Sequence, residues 1–226
     1  MFGKIKYWFE NYWYYYKWPV LLITFFAAVI VFCTIHSTTR EKTDVNILFV
    51  GPRVFAVGEK GVFEDTLAQI MGEDYDGDGK KTVSVIDMPA FSDAQIREAV
   101  GTSEDMGLMV QYGHYTYDEV EKTFSQQVFA GDASICLVAP HWYNLLKENG
   151  GLAPLEDALG YRPEGMIDEY GVKLSSLPIG EFCNLPEDTI LCLRRLSTAS
   201  ALTGRDEAQR KYDISIEMLK DMFAFK

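Results

Sequence analysis

The stretch Glu73-Asp74-Tyr75-Asp76-Gly77-Asp78-Gly79-Lys80-Lys81 sets three aspartates at alternate positions ahead of a glycine. This is the front half of an oxygen-ligand loop for calcium. Asp74, Asp76 and Asp78 match its first, third and fifth positions, Gly79 matches the turn glycine, and Lys80 offers a backbone carbonyl at the seventh. The back half does not follow, because Val85 stands at the twelfth position, where a bidentate Glu closes such a loop. The same residues suit an acidic turn, since Asp and Gly tolerate backbone that other residues avoid. Both readings stand at this stage, a loose calcium site and a turn. A phosphate loop does not fit, because Asp78 follows Gly77 where the pattern needs Lys.

A second group, His141-Trp142-Tyr143, directly follows the apolar run Ala133–Pro140. If that run is a strand, the three side chains lie at its carboxyl end, where α/β sheets dock ligands. Trp and Tyr there can stack on a sugar or a planar ligand, or they can cap the core and anchor the next helix. Arg53 and Phe91 follow two other strand-like runs and would share such a ligand site. Other chemistry has less support. His36, His114 and His141 are far apart, and no G-x-S-x-G, H-E-x-x-H or G-x-G-x-x-G is present. The adjacent acidic pairs Glu156-Asp157 and Glu187-Asp188 fall in turn-like contexts that favour solvation over acid–base work.

Alternating elements must position these groups. Val45–Gly51 is a β-branched run ending at Gly-Pro and reads as a buried strand. Phe63, Leu67, Ile70 and Met71 then recur at helical spacing, and Val83, Val85 and Asp87 alternate with Ser84, Ile86 and Met88. Ser92 is placed to cap a short helix. Val120, Phe124 and Val128 stripe another helix that stops at Gly131. Residues 133–140 give a strand, 141–151 a short helix, 188–196 a further strand, and 206–225 a final helix aligning Ala208, Tyr212, Ile216, Leu219 and Phe223. This alternation predicts an α/β layer architecture with helices on a mainly parallel sheet.

Ahead of these elements, Trp18 to Ile35 contains no charged residue in 18 positions. As a helix it covers roughly 27 Å, close to the hydrocarbon thickness of a bilayer. The preceding segment from Tyr7 is dense in Tyr and Trp, which suit the headgroup boundary. The region after the run has no A-x-A-like cleavage site, which favours an uncleaved anchor over a signal peptide. Lys4, Lys6 and Lys17 precede the run, and Arg40 and Lys42 follow it, a bias that places the N-terminus in the cytoplasm. The expected layout is a leader over 1–17, an anchor over 18–36, a linker over 37–44 and an extracellular α/β domain over 45–226. On that side of the membrane calcium is abundant enough to fill loose sites.

Of the 21 basic and 33 acidic residues, five and three lie in residues 1–44, leaving 16 against 30 and a net charge of −14 on the remainder. That balance argues against a nucleic-acid partner. Four cysteines are present without a C-x-x-C pair; Cys183 and Cys192 are close enough in sequence to admit a disulfide.

The segment Phe124–Asp157, with Ala130-Gly131-Asp132-Ala133-Ser134 before its strand and Gly151-Leu152-Ala153-Pro154-Leu155-Glu156-Asp157 after its helix, resembles a recurrent piece of the extracellular solute-binding proteins of ABC importers. The strand Val45–Gly51 followed by a helix fits the start of the same periplasmic-binding-like fold. The outer domain has the length of one such lobe with fragments of a second. The aromatic-lysine leader is similar to that of membrane-anchored proteins of Gram-positive bacteria whose outer domains carry a D-x-x-GDGK stretch. The resemblance implies a non-enzymatic, surface-held domain that binds a small solute. The alternative is a structural or assembly protein whose outer domain contacts a membrane or envelope protein.

Overall fold

A computed structural model describes residues 2–39, 43–56, 58–75, 77–100, 114–130, 133–196 and 204–225. Asp76, Gly131 and Asp132, singled out above, lie outside the described residues. The chain divides into two units, residues 1–42 and 43–226.

The first unit is one helix, α1 (Phe2–Thr39). Its stretch Tyr16–Thr34 is long and apolar enough to cross a membrane or to serve as a signal sequence. Leu21, Ile23, Phe25, Phe32 and their neighbours are exposed, as expected of side chains that no protein core receives. The helix takes in most of the leader and continues through residues 37–39 of the expected linker.

The second unit is α/β. Strand β1 (Val45–Gly51) is followed by α2 (Glu59–Ile70), β2 (Val83–Pro89), α3 (Asp93–Val100), α4 (Tyr117–Ala130), β3 (Ile135–Val138) and α5 (Pro140–Glu148). Then come β4 (Leu152–Ala153), α6 (Leu155–Leu159), β5 (Gly171–Lys173), a 3-10 turn (Leu174–Ser176), α7 (Gly180–Cys183), β6 (Ile190–Arg194) and α8 (Arg205–Ala224). The sheet order is β2-β1-β3-β6-β4, with β5 also on β6. β1 pairs in parallel with β2 and β3, whereas β6 is antiparallel to β3, β4 and β5.

The sheet is therefore mixed, which corrects the expectation of a mainly parallel one. A parallel return requires a crossover of about a dozen residues or more, usually a helix long enough to run back along the sheet. Between β5 and β6 the chain forms only the 3-10 turn and the four-residue α7. It re-enters the sheet from the end it has just left, so β6 runs the other way.

β1 is central, with both faces covered. Val45, Ile47 and Phe49 face a core built from α2, α8 and the 3-10 region, including Leu67, Met218, Leu219 and Met222. Leu48 and Val50 face a second core built from α4 and α5, including Val120, Phe124, Trp142 and Leu146. In α8 the fully buried residues are Met218, Leu219 and Met222, while Tyr212, Ile216 and Phe223 flank them. The buried stripe is rotated from the expected one. At the start of α3, Ser92 and Gln95 form a reciprocal cap: Gln95 N–H donates to Ser92 Oγ at 3.2 Å and Ser92 N–H to Gln95 Oε1 at 2.9 Å.

Asp44, 7% exposed, ties the acidic stretch to the sheet edge. Its carboxylate accepts from the Tyr75 N–H at 3.1 Å and the Thr82 N–H at 2.8 Å. Replacing Asp44 with Ala leaves those amides without their acceptor and is expected to cost about 2–3 kcal/mol in denaturant unfolding. Leu67→Ala, which opens a cavity under β1, is expected to cost about 2–5 kcal/mol.

Candidate functional site at the strand ends

The carboxyl ends of the three parallel strands are joined through backbone. Ala139 N–H donates to the Val50 carbonyl and Ala90 N–H to the Gly51 carbonyl, both at 2.8 Å. A side chain at Gly51 would have its Cβ 3.1 Å from the Phe49 ring and 3.8 Å from the Ala139 Cβ, so this junction is tight. Beyond it the chain diverges. After β1 it crosses to α2 on one face, and after β3 it enters α5 on the other. Adjacent strands whose helices leave to opposite faces define the topological switch point at which α/β sheets hold ligands.

Arg53 and His141 stand on the two sides of this switch point. The Arg53 guanidinium pairs with the Glu59 carboxylate and lies 5.1 Å from the centre of the Phe55 ring. Phe55 in turn stacks on Phe63 and packs edge-on to Phe49. Glu59 also accepts from the Ala56 N–H at 2.9 Å. That hydrogen bond, joined by Arg53 and opposed by desolvation, holds the Glu59 carboxyl below its ordinary value. One residue on, Lys60 Nζ pairs with Asp87 Oδ1 of β2 at 2.6 Å. His141 is exposed and stacks on the Tyr117 ring, with centroids 4.3 Å apart at 15°. Burial, followed by the nearby Asp188 charge, pushes the Tyr117 hydroxyl up.

Trp142, Tyr143 and Phe91 are placed differently. Trp142 is fully buried, edge-on to Tyr117 at 5.3 Å and against Phe124 at 4.8 Å. Its indole Nε1 has no hydrogen-bond partner among the described residues. Tyr143, 2% exposed, donates its hydroxyl to Asp168 Oδ1. These two rings brace the core and offer no face to a ligand, which corrects their expected place in the site. The reason is helical rotation: Trp142, Tyr143 and Leu146 form the inward stripe of α5, and His141 precedes it on the outside. Phe91 is buried with Ile96 and packs near Tyr115 in a separate small cluster. The tyrosine-rich segment around His114 thus supplies packing partners to both groups, Tyr115 to Phe91 and Tyr117 to His141.

Tyr117, Phe55, Glu59 and Asp168 escaped the sequence reading. Asp168 is the most connected of them. It accepts from Tyr143, from Lys147 Nζ at 2.6 Å and from the Tyr170 N–H at 2.9 Å. Burial raises its carboxyl, but the hydrogen bonds from Lys147, Tyr143 and Tyr170 outweigh this and hold it below its ordinary value.

The acidic stretch folds on itself. Both Asp74 oxygens accept backbone N–H groups, from Gly77 and Gly79, each at 2.7 Å, and Asp78 accepts from the Lys80 N–H at 2.8 Å. Gly77 and Gly79 have φ of 78° and 89°, the left-handed region that only glycine enters easily. Asp221 of α8 accepts from the Gly72 N–H and the Tyr75 hydroxyl, each at 2.7 Å, and Lys81 Nζ donates to the Met71 carbonyl at 2.6 Å. Among the described residues, no three His, Cys, Asp or Glu side chains converge as a metal would need. All four cysteines are free. Cys183 belongs to one core and Cys192 to the other, so the disulfide admitted above does not form; Cys192 lies opposite Cys136 across β3 and β6. Burial pushes the Cys183 thiol up to about 12.

Comparison of the chain with protein-family models, curated proteins and solved structures gave no match.

Two outcomes are expected. Trp142→Ala costs about 3–5 kcal/mol of unfolding free energy, whereas His141→Ala, at an exposed position, changes it by less than about 0.5 kcal/mol. Asp168 has a depressed folded-state pKa, so its stabilisation is fully present above the ordinary value of about 3.9 and is lost as pH falls through the lower one. The stability gap between wild type and Asp168→Asn, measured by denaturant unfolding, is therefore widest near neutrality and narrows below that value.

Proposed function

We propose that this chain is a membrane-tethered binding module, with α1 in the bilayer, its N-terminus in the cytoplasm and residues 43–226 outside. The outer unit is read as one lobe of the solute-binding type, acting by binding and not by catalysis. Its site is the crevice between the ends of β1 and β3. The observation that carries this reading is the switch point itself, with the exposed His141–Tyr117 stack on one side and Arg53 on the other. The charges there support binding over chemistry. Arg53 is held by Glu59, and Lys60 by Asp87, so the groups are fixed as recognition elements. A planar or sugar-like solute fits the stacked rings by its face and the guanidinium by a polar edge. Calcium enters only as an extra ligand of the acidic loop.

A second reading, an envelope assembly protein, is favoured by the 38 residues of α1. At about 1.5 Å each they extend well past a hydrocarbon core of roughly 30 Å. The surplus turns at the aromatic N-terminal end would serve as a contact for a second membrane protein.

Thermal unfolding of the full chain in phosphatidylcholine nanodiscs, screened against neutral sugars and aromatic solutes, tests the first reading. A solute that raises the midpoint in wild type and fails with His141→Ala and with Arg53→Ala supports it. No shift across the panel, with a discrete partner captured through residues 2–16 instead, favours assembly. Calcium at several millimolar in the same assay is expected to shift the midpoint only if Asp74 and Asp78 are intact. Reaction of a membrane-impermeant thiol reagent with a cysteine placed at exposed Glu156 of a variant lacking Cys33 reports which side the unit occupies.

A further inference from the structure

A cavity of about 520 Å³ opens at the opposite end of the sheet from the strand-end crevice. Its apolar lining comes from Phe124 and Val128 of α4, Leu145 and Leu146 of α5, and Leu196 beyond β6, while Ser125, Asn149 and two glycines complete the wall. Arg194 and Arg195 line it as well. The position follows from the antiparallel course of β6. Its last residue, Arg194, donates its N–H to the Ser134 carbonyl at the entry to β3, and Arg195 donates to the Gly151 carbonyl just before β4, both at 2.7 Å. The cavity therefore owes nothing to the residues of the switch point.

We infer that this cavity is a second ligand site, built for an apolar molecule that ends in one carboxylate. Three features fit that class. The volume lies within the usual range for small-molecule sites, about 300–1,000 Å³. Phe124, Val128, Leu145, Leu146 and Leu196 give the lining a continuous set of aliphatic and aromatic side chains, suited to a short acyl chain. The polar end is cationic. Arg194 is 3% exposed and its Nη1 donates to the carbonyl of Val128, itself a lining residue. Arg195 is exposed beside it and forms no ion pair among the described residues. Two consecutive arginines in the lining, in a unit that carries 31 acidic against 16 basic residues, give this end a local positive charge that selects an anion. A guanidinium fork matches a carboxylate in two parallel hydrogen bonds.

The test uses octanoate as the acidic probe and octan-1-ol as its neutral counterpart, titrated calorimetrically into full-length protein in phosphatidylcholine nanodiscs, with empty discs as the blank. The expected result is saturable one-to-one binding of octanoate and at least about tenfold weaker binding of octan-1-ol, since one lost charge-assisted contact is a factor of that order. Arg195→Gln leaves the fold intact, weakens octanoate about tenfold and leaves octan-1-ol unchanged. Val128→Trp fills the cavity and abolishes binding of both. The inference is overturned if wild type gives no heat beyond empty discs, if the alcohol binds as tightly as the acid, or if Arg195→Gln binds octanoate undiminished. Should Val128→Trp fail to fold, the Arg195 and alcohol arms still decide. Both readouts are independent of His141 and Arg53, so failure here leaves the strand-end reading standing.

Discussion

The burial of β1 on both faces is the constraint from which the outer unit follows. Ile47, Phe49 and Val50 have no exposed surface, and Leu48 has almost none. A strand apolar on alternate and intervening positions alike cannot leave either face wet, so helices must cover both. α2 and α8 cover one side and α4 and α5 the other. Because the helices that follow β1 and β3 belong to different layers, the chain must part where these neighbouring strands end. The parting of the chain at the strand ends is thus a consequence of the core, and Arg53 and His141 are carried there by elements rooted in that core.

Much of this was legible in the residues. The run Val45–Gly51, closed by Gly-Pro, reads as a strand because β-branched residues crowd it and a turn ends it. Ser92 reads as a cap because it stands directly before a short helical run, and the structure adds Gln95 as its reciprocal partner. The direction of β6 was not legible. Its composition is that of any buried strand, and its polarity is set by the passage through the 3-10 turn and α7, which holds no helix long enough to run back along the sheet. β4 and β5, of two and three residues, exist as strands only because β6 lies between them and β3.

The site was partly legible for a related reason. Trp142 and Tyr143 have the chemistry of a ligand platform and of a core brace, and only the rotation of α5 separates the two uses. The spacing of Trp142, Tyr143 and Leu146 was the available signal. Nothing local pointed to Asp168, which meets Tyr143 from 25 positions further along the chain. The acidic stretch shows the same ambiguity. Alternating aspartates serve a cation or their own backbone, and here Asp74 and Asp78 accept from the amides of the turn they form. α1 is the opposite case. Its apolar run is long and continuous enough to be read directly as a helix of membrane-crossing length, and the structure extends that helix into the aromatic segment ahead of it.

The most direct test of the account is hydrogen–deuterium exchange, residue by residue, on the full chain in lipid discs. If β1 is the element on which the strand ends are built, the amides of Leu48, Phe49 and Val50 exchange only through global unfolding, more slowly than those of α3 or α6. If they exchange as fast as those peripheral helices, the sheet does not hold the ends of β1 and β3 in place, and the crevice between them is not a built site.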